Sequence, residues 1–287
     1  MVYMTEKNLI YIKDFDNPEL QPYLTLRRSE EQRKKGIFIA EGGKVVLRLL
    51  NSSLKIHTML TTEEWFNLII NRKNENSPVK YDDRLNDCKI FIASKAMMEK
   101  IVGYRLHQGI IAVASIPEEP KLEEFLTGIK TESIIVALDN LVNSENVGVI
   151  VRNCAAFGVD LILAGETSSS PYLRRAVRNS MGAVFHMPVI HTKSLFDSLN
   201  LIRDKFYTRI IATDPHDNSS IFDTDLRGNI CIVFGNEDSG VSEQIMNICD
   251  EKISIPMMNN TDSLNVASAS SVFLYEARKQ RFTHGKR

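Results

Sequence analysis

The sequence contains few cysteines, and no two of them form a C-x-x-C pair. Its 287 residues include Cys88, Cys154, Cys231 and Cys249, which lie mostly in apolar segments. Buried, reduced thiols have this setting. The pattern predicts a protein of the reducing cytoplasm and disfavours a zinc site or any other metal site.

Long apolar runs are also missing. No run approaches the roughly 18 apolar residues that cross a membrane, and charges interrupt the first 15 residues before any run of signal-peptide length. We therefore expect no membrane association and no export. The formal net charge is −1, so a site for a polyanion must be a local basic patch.

Two common enzyme motifs are absent. No G-x-G-x-x-G follows a predicted strand, which disfavours a Rossmann-type oxidoreductase or methyltransferase. FGNEDSG at 234–240 lacks the G-x-S-x-G turn, and the histidines lie outside any recognisable triad setting, so a serine hydrolase is also disfavoured.

The order of elements predicts two domains. The first half begins with a charged helix from Arg27, a strand from Ile37 to Ala40 and a helix from Lys44 that stops at Asn51. A polar loop over 71–87 precedes a strand, helix and strand, which completes a small α/β domain. Two prolines and an acidic run mark the boundary. We predict a domain over 1–117, a linker over 118–131 and a second domain over 132–287.

The second domain has short, continuously apolar strands between helical patterns. The strand segments are SIIVALD, VDLILAG, TRIIATD, ICIVFG and KISIP. Continuous apolar strands of this kind are typical of a parallel sheet covered on both faces. The predicted fold class is therefore α/β in both domains.

The segment NSENVGVIVRN at 143–153 combines an amide and a cation. Asn146 and Arg152 are six residues apart, so on one regular helix they point about 120° apart. They converge only if Asn146 lies in a loop and the helix runs from about Val147 to Gly158. The neighbours of Arg152 are mostly apolar, and a fixed cation there needs a partner. A capping asparagine and a solvated arginine are the alternative.

Two further segments end predicted strands with polar residues. After one strand come Gly235, Asn236 and Glu237, and Ser263 or Asp262 is the expected N-cap of a helix rich in small residues. Open α/β sheets bind ligands at the carboxyl ends of their strands. An acidic turn and a tight helix-packing face are the simpler interpretations.

A basic stretch lies between these motifs. Arg174 and Arg175 are four and three residues before Arg178, so one side of a helix is cationic, and Ser180 follows. Contact with phosphates explains the pattern, as does an ordinary solvated face.

Together, NSENVGVIVRN, FGNEDSG and IPMMNNTDSLNVASA resemble the three motifs of the SpoU, or TrmH-like, RNA 2'-O-ribose methyltransferases, in the family's order. The resemblance implies a SPOUT fold with a C-terminal trefoil knot, S-adenosylmethionine as cofactor, and a homodimer whose site forms across subunits. It also implies a catalytic set and a cofactor-binding set. The first is Asn146, Arg152, Glu237, Ser263 and Asn265, and the second is Gly235, Asn236, Ile255 and Leu264. Asp238 stands where a glycine is common in the family.

In this interpretation Arg152 acts on the ribose hydroxyl. A guanidinium holds its proton tightly and is a poor general base at neutral pH, so stabilisation of the developing oxyanion is favoured and a base role stays open. Glu237 orients Asn146 or backbone amides. Ser263 and Asn265 hydrogen-bond the 2'-hydroxyl or a phosphate.

The first domain resembles the family's substrate-binding domain, which is similar to a small ribosomal RNA-binding protein. RKKGIFIAEGGKVV and IVGYRLHQGIIAV carry this similarity. It implies RNA contact by Arg33, Lys34 and Lys35, although a solvated helix face explains them equally well. The expected function is 2'-O-methylation of ribose in RNA, with large-subunit ribosomal RNA as substrate. A tRNA enzyme and a noncatalytic RNA-binding or ribosome-assembly protein are the alternatives.

Overall fold

The computed structural model describes residues 8–26, 28–71, 85, 88–129 and 131–284. The chain forms two compact units, one made of Met1–Pro117 with Tyr172–Phe185 and the other of Glu118–Pro171 with His186–Arg287. Most of the polar loop predicted at 71–87 lies outside the described residues, as does Arg27. No described helix is both long enough and apolar enough to cross a membrane.

The first unit contains a five-stranded mixed sheet in the order β1-β4-β3-β5-β2. β5 pairs antiparallel with β2 and β3, whereas β4 pairs parallel with β1 and β3. This arrangement agrees with the predicted α/β class. The strands are β1 Leu9–Tyr11, β2 Ile37–Glu41, β3 Ile56–Thr61, β4 Lys89–Ile92 and β5 Ile110–Ser115. The helices are α1 Gln21–Leu24, α2 Ser29–Lys34, α3 Gly43–Leu50, α4 Glu63–Asn71 and α5 Lys95–Val102, with a 3-10 turn at Pro18–Leu20.

Glycines fix the entry into α3. Gly42 has φ +95°, and a Cβ on Gly43 would lie 1.9 Å from the Trp65 ring. The Gly43 amide donates to the Gln108 side chain. The chain can therefore turn from β2 into α3 only with small residues at these two positions.

The segment Tyr172–Phe185 packs within the first unit. It contains α8 Arg174–Asn179 and a 3-10 turn at Ala183–Phe185. The Phe38 ring stacks on Phe185 at 5.5 Å and tilts against Tyr172 at 5.6 Å. The sequence analysis placed this segment in the second domain, whereas the structure groups it with the first unit. The division into domains otherwise stays a prediction. Sequence alone does not reveal such aromatic packing between distant segments.

The second unit is built on a six-stranded sheet in the order β11-β9-β10-β6-β7-β8. Every strand pair in it is parallel, and β6, β7 and β10 are buried along their whole length. This confirms the predicted parallel sheet. The strands are β6 Ile134–Leu138, β7 Leu161–Ala164, β8 Val189–His191, β9 Arg209–Thr213, β10 Ile230–Phe234 and β11 Glu251–Ile253. The helices are α6 Leu122–Thr127, α7 Ser144–Phe157, α9 Leu195–Phe206, α10 Glu243–Met246 and α11 Val266–His284.

Helices cover this sheet. α11 packs on α7, where the Asn153 side chain donates to the Ala267 carbonyl and to Ser270 Oγ, both at 2.9 Å. α6 lies within the expected linker, yet its Leu126 is buried in the core of the second unit. The apolar side of α6 therefore packs on that unit, whereas most of the described residues of 118–131 are exposed. The linker assignment stays a prediction.

All four cysteines are free thiols, and Cys88, Cys154 and Cys231 are buried. Burial raises the pKa of the Cys154 and Cys231 thiols well above the ordinary value, and it raises that of half-buried Cys249 to about 12. The thiols have the buried setting that the sequence predicts.

Candidate active site

The first turn of α7 carries Asn146. The helix begins at Ser144, because the Asn143 side chain accepts hydrogen bonds from the amides of Glu145 and Asn146 at 2.9 and 3.4 Å. The expected start at about Val147 is therefore wrong. Asn146 is a helical residue rather than a loop residue.

Three residues from the three motifs form a hydrogen-bonded chain. Asn146 Nδ2 donates to Glu237 Oε1 at 2.6 Å, and Asn265 Nδ2 donates to Asn146 Oδ1 at 3.2 Å. Glu237 follows β10 and Asn265 precedes α11. The amide of Asn146 is thus fixed in one orientation by an acceptor on one side and a donor on the other.

Asn265 also caps α11. Its Oδ1 accepts from the Ala267 amide at 2.9 Å, and its carbonyl accepts the first helical bond from Ala269. Ser263 and Asp262, the expected caps, lie before the helix and outside any helix or strand. The side chain of Asn265 therefore holds the helix start with its oxygen and Asn146 with its nitrogen.

The loop after β10 is shaped by Asn236. Its Nδ2 donates to the Asn140 carbonyl at 2.9 Å, and its Oδ1 accepts from the amides of Asp238 and Ser239. The left-handed residue of the loop is Gly240, with φ +70°, and not Asp238. An aspartate in place of the family's common glycine is therefore compatible with this loop.

Gly235 is required by the chain's own backbone. A Cβ there would lie 2.1 Å from the Gly240 carbonyl carbon and 2.2 Å from the Val241 nitrogen. The sequence suggested that glycine lets a ligand approach, and the structure shows that it lets the returning loop approach as well.

A cavity of about 440 Å³ opens beside this loop. Its walls contain Gly235, Asn236, Ile255 and Leu264 of the predicted cofactor set, together with Glu237, Ser263 and Asn265. Phe234, Ile253 and Phe273 add apolar surface. A volume of this size, mostly apolar with a few polar groups, suits a nucleoside-sized cofactor such as S-adenosylmethionine.

Sequence reasoning missed two contributions to this site. Thr213, the last residue of β9, and residues 214–216 after it line the same cavity. Asp139, which follows β6 and is buried, accepts the Ser242 amide at 2.7 Å and fixes the far end of the loop. Both positions end parallel strands, so the rule for ligand sites in open sheets could have found them.

Arg152 lies apart from the hydrogen-bonded chain. Its side chain is exposed on α7 and forms no hydrogen bond or ion pair with the described residues. It does not line the cavity. Because Asn146 is on the same helix, the two side chains point about 120° apart. The mostly apolar setting expected for Arg152 is wrong.

The predicted RNA-binding residues differ in setting. Arg33, Lys34, Lys35, Arg175 and Arg178 are exposed. Arg174 instead donates from Nη1 to Glu41 Oε2 and to the Tyr104 hydroxyl, each at 2.7 Å. Ser180 is fully buried, and its hydroxyl donates to the Val177 carbonyl at 2.8 Å. In this structure Ser180 therefore cannot reach a phosphate, which corrects the expectation.

The strand ends of the parallel sheet line a cofactor-sized cavity, and a fixed amide and carboxylate lie at its edge. This arrangement is typical of α/β enzymes that bind a nucleoside-containing cofactor. The sequence profile of the SpoU rRNA Methylase family matches residues 133–275. The chain is 30% identical over 193 residues to the 23S rRNA (guanosine-2'-O-)-methyltransferase RlmB of Acinetobacter baylyi, covering 66% of this chain and 77% of that protein. The chain belongs to the SpoU rRNA Methylase family.

Two further similarities extend over most of the chain. An uncharacterised tRNA/rRNA methyltransferase of Mycobacterium tuberculosis is 29% identical over 271 residues, 92% of this chain and 89% of that protein. The crystal structure of the SpoU methyltransferase AviRb from Streptomyces viridochromogenes with AdoMet superposes with a TM-score of 0.76, at 21% identity, over 93% of this chain and 100% of that chain. Membership of this family confirms the predicted class, an S-adenosylmethionine-dependent enzyme that methylates ribose in RNA. The superposition confirms the α/β fold.

Proposed function

We propose that the protein methylates a ribose 2'-hydroxyl in large-subunit ribosomal RNA, with Asn146, Glu237, Ser263, Asn265 and Arg152 as its active-site residues. The observation that carries the proposal is the hydrogen-bonded chain Glu237–Asn146–Asn265 at the edge of the cavity. The ribosomal substrate is supported by the similarity to RlmB, whose name gives 23S rRNA as its substrate.

When bound, S-adenosylmethionine supplies an electrophilic methyl group. Gly235, Asn236, Ile255 and Leu264, which lie in the cavity wall, would hold it through backbone groups and apolar side chains. Ser263 and Asn265 lie at the same wall and hydrogen-bond the ribose hydroxyl or a neighbouring phosphate. The pre-formed amide chain keeps Asn265 in place, so that positioning reduces the activation barrier.

Arg152 stabilises the oxygen of the ribose as it loses its proton. A guanidinium stays charged at neutral pH, so its effect is electrostatic rather than that of a general base. Its side chain points away from Asn146 of its own chain, which favours a homodimer in which Arg152 completes the partner's site. We also propose that the C-terminal part of the chain forms the trefoil knot of the family and that the protein is cytoplasmic.

Subunit mixing tests the shared site. Arg152→Ala and Glu237→Ala proteins should each lose methyl transfer and keep S-adenosylmethionine binding. If the site is shared, heterodimers contain one intact site, and an equimolar, re-equilibrated mixture should regain about one quarter of wild-type activity. A mixture as inactive as its parents would place Arg152 and Glu237 in the site of one chain.

Mapping of 2'-O-methyl groups in cells with and without the protein tests the substrate. Loss of a methyl group from large-subunit ribosomal RNA supports the proposal. Exclusive loss from tRNA would establish the tRNA alternative. No binding of S-adenosylmethionine in a calorimeter would favour the noncatalytic RNA-binding alternative.

A further inference from the structure

Three segments of the first unit meet around Arg174. Its guanidinium bonds Glu41 and the Tyr104 hydroxyl and lies 5.0 Å from the centre of the Tyr104 ring. The side chain of Gln108 accepts from the Gly43 amide. The turn 41–44, the loop 103–108 and helix α8 are therefore held together. We call the surface that they form the basic face.

The exposed charges of the basic face are all positive. Glu41 is the only carboxylate in the three segments, and it is paired with Arg174 and only 10% exposed. The exposed charged residues are Lys44, Arg105, Arg175 and Arg178. Four exposed cations therefore lie on these three segments of a chain whose net charge is −1. The nearby carboxylate of half-buried Glu99 is engaged by the Leu106 amide of the loop at 3.0 Å.

Arg178 lies close enough to the loop to act on it. Burial raises the pKa of Tyr104, and the charge of Glu41 raises it further, whereas Arg174 and Arg178 both act in the opposite direction. Arg178 of α8 therefore lies near the loop that carries Tyr104 and Arg105.

Helix α2 has a different charge pattern. Arg33 and Lys34 at its end follow the exposed Glu30 and Glu31 at its start, and Arg28 pairs with Glu31 at 3.1 Å. Mixed charges weaken the local potential that attracts a polyanion. Of the two basic groups predicted from the sequence, the one on α8 is therefore the better candidate for a phosphate site than the one on α2.

We propose that the basic face binds the phosphate backbone of the substrate RNA, through Lys44, Arg105 and Arg178. Arg174 is a positioning residue that holds α8 against Glu41 and Tyr104. Lysine and arginine contacts to phosphates supply most of the sequence-independent affinity for nucleic acid. The inference rests on the proposed function, because it takes RNA to be the substrate.

Two triple variants of the full-length protein with equal charge change test the basic face. Lys44→Ala/Arg105→Ala/Arg178→Ala removes three cations from it, and Arg33→Ala/Lys34→Ala/Lys35→Ala removes three from α2. The probe is fluorescent 20-nucleotide polyuridylate, titrated at several KCl concentrations. Each lost phosphate contact lowers the slope of log K against log[KCl] by about 0.7 for single strands, so the basic-face variant should lose about 2. The α2 variant should stay near the wild-type slope.

Unfolding and cofactor affinity serve as controls. Both variants should unfold at the wild-type temperature and bind S-adenosylmethionine normally, since the altered side chains are exposed and none lies at the cavity. A slope unchanged in the basic-face variant, or a larger loss in the α2 variant, overturns this inference while wild-type methylation of ribosomal RNA still stands. A wild-type protein that neither binds RNA nor methylates it would overturn both proposals.

Discussion

Asn146 donates a 2.6 Å hydrogen bond to Glu237, which lies 91 positions later in the chain. The bond joins the first turn of α7 to the loop after β10, and its other end continues to Asn265 before α11. One amide side chain therefore holds together the three segments that the sequence motifs mark.

Replacement of Glu237 should reveal the strength of this link. Glu237→Gln keeps an oxygen acceptor for Asn146 but loses the charge, and we expect kcat to fall by about 10-fold. Glu237→Ala loses the acceptor and should lower kcat by about 100-fold, as for residues that orient a reacting group. Turnover measured with labelled S-adenosylmethionine checks this. Equal rates for the two variants would contradict a role in orientation.

Gly235→Ala should damage both stability and cofactor binding. The added methyl group meets backbone atoms of Gly240 and Val241 at 2.1 to 2.2 Å, so the loop must move. We expect the free energy of unfolding to fall by about 1–3 kcal/mol, together with weaker S-adenosylmethionine binding. Urea denaturation and calorimetry measure the two effects. Gly128→Ala is the matched control, since the nearest atom there is 3.6 Å away.

Arg174→Ala should destabilise the first unit. It leaves the largely buried Glu41 carboxylate without its cation, at a cost of about 1.5–3 kcal/mol in the free energy of unfolding. Arg178→Ala, on the same helix but exposed, should leave stability unchanged and weaken RNA binding. Urea denaturation of both variants checks the difference. If the two variants were equally stable, the positioning role of Arg174 would be wrong.

The thiols should react slowly in the native protein. A pKa of about 12 leaves roughly one Cys249 thiol in 10,000 ionised at pH 8, and the other three cysteines are buried. We expect reaction with Ellman's reagent to be at least about 100-fold slower than for free cysteine, and four thiols to react rapidly in guanidinium. Because the thiolate is the reactive form, the reaction rate of Cys249 in the native protein should rise about 10-fold for each unit by which the pH increases, as long as the pH is below the pKa. One fast thiol in native protein at pH 8 would contradict this setting.

The parallel sheet was predictable because its strands are short apolar runs buried on both faces. Residues 134–138 and 230–234 show this pattern directly. The prediction missed β8, which has three residues, although it included the equally short β11. The start of α7 was misplaced because Ser144, Glu145 and Asn146 are polar, although an acidic first turn after a capping asparagine is a common helix start.

The site was predictable as a set of segments but not as a geometry. The family resemblance named Asn146, Glu237 and Asn265, and the structure brings these three together. Nothing in the sequence shows that Arg174 finds Glu41, because that pairing joins residues 133 positions apart through tertiary packing. For the same reason, the burial of Ser180 could not be predicted from its neighbours in sequence.

The packing of Tyr172 and Phe185 on Phe38 limits how this protein can be recombined with its relatives. In a hybrid joined only at 117–118, Phe38 would come from one parent, and the rings at 172 and 185 that pack on it would come from the other. An exchange of the first unit must therefore carry 172–185 as well, which requires three junctions in the gene instead of one. The proposed RNA-binding surface is consequently encoded by two separate stretches of sequence that have to change together.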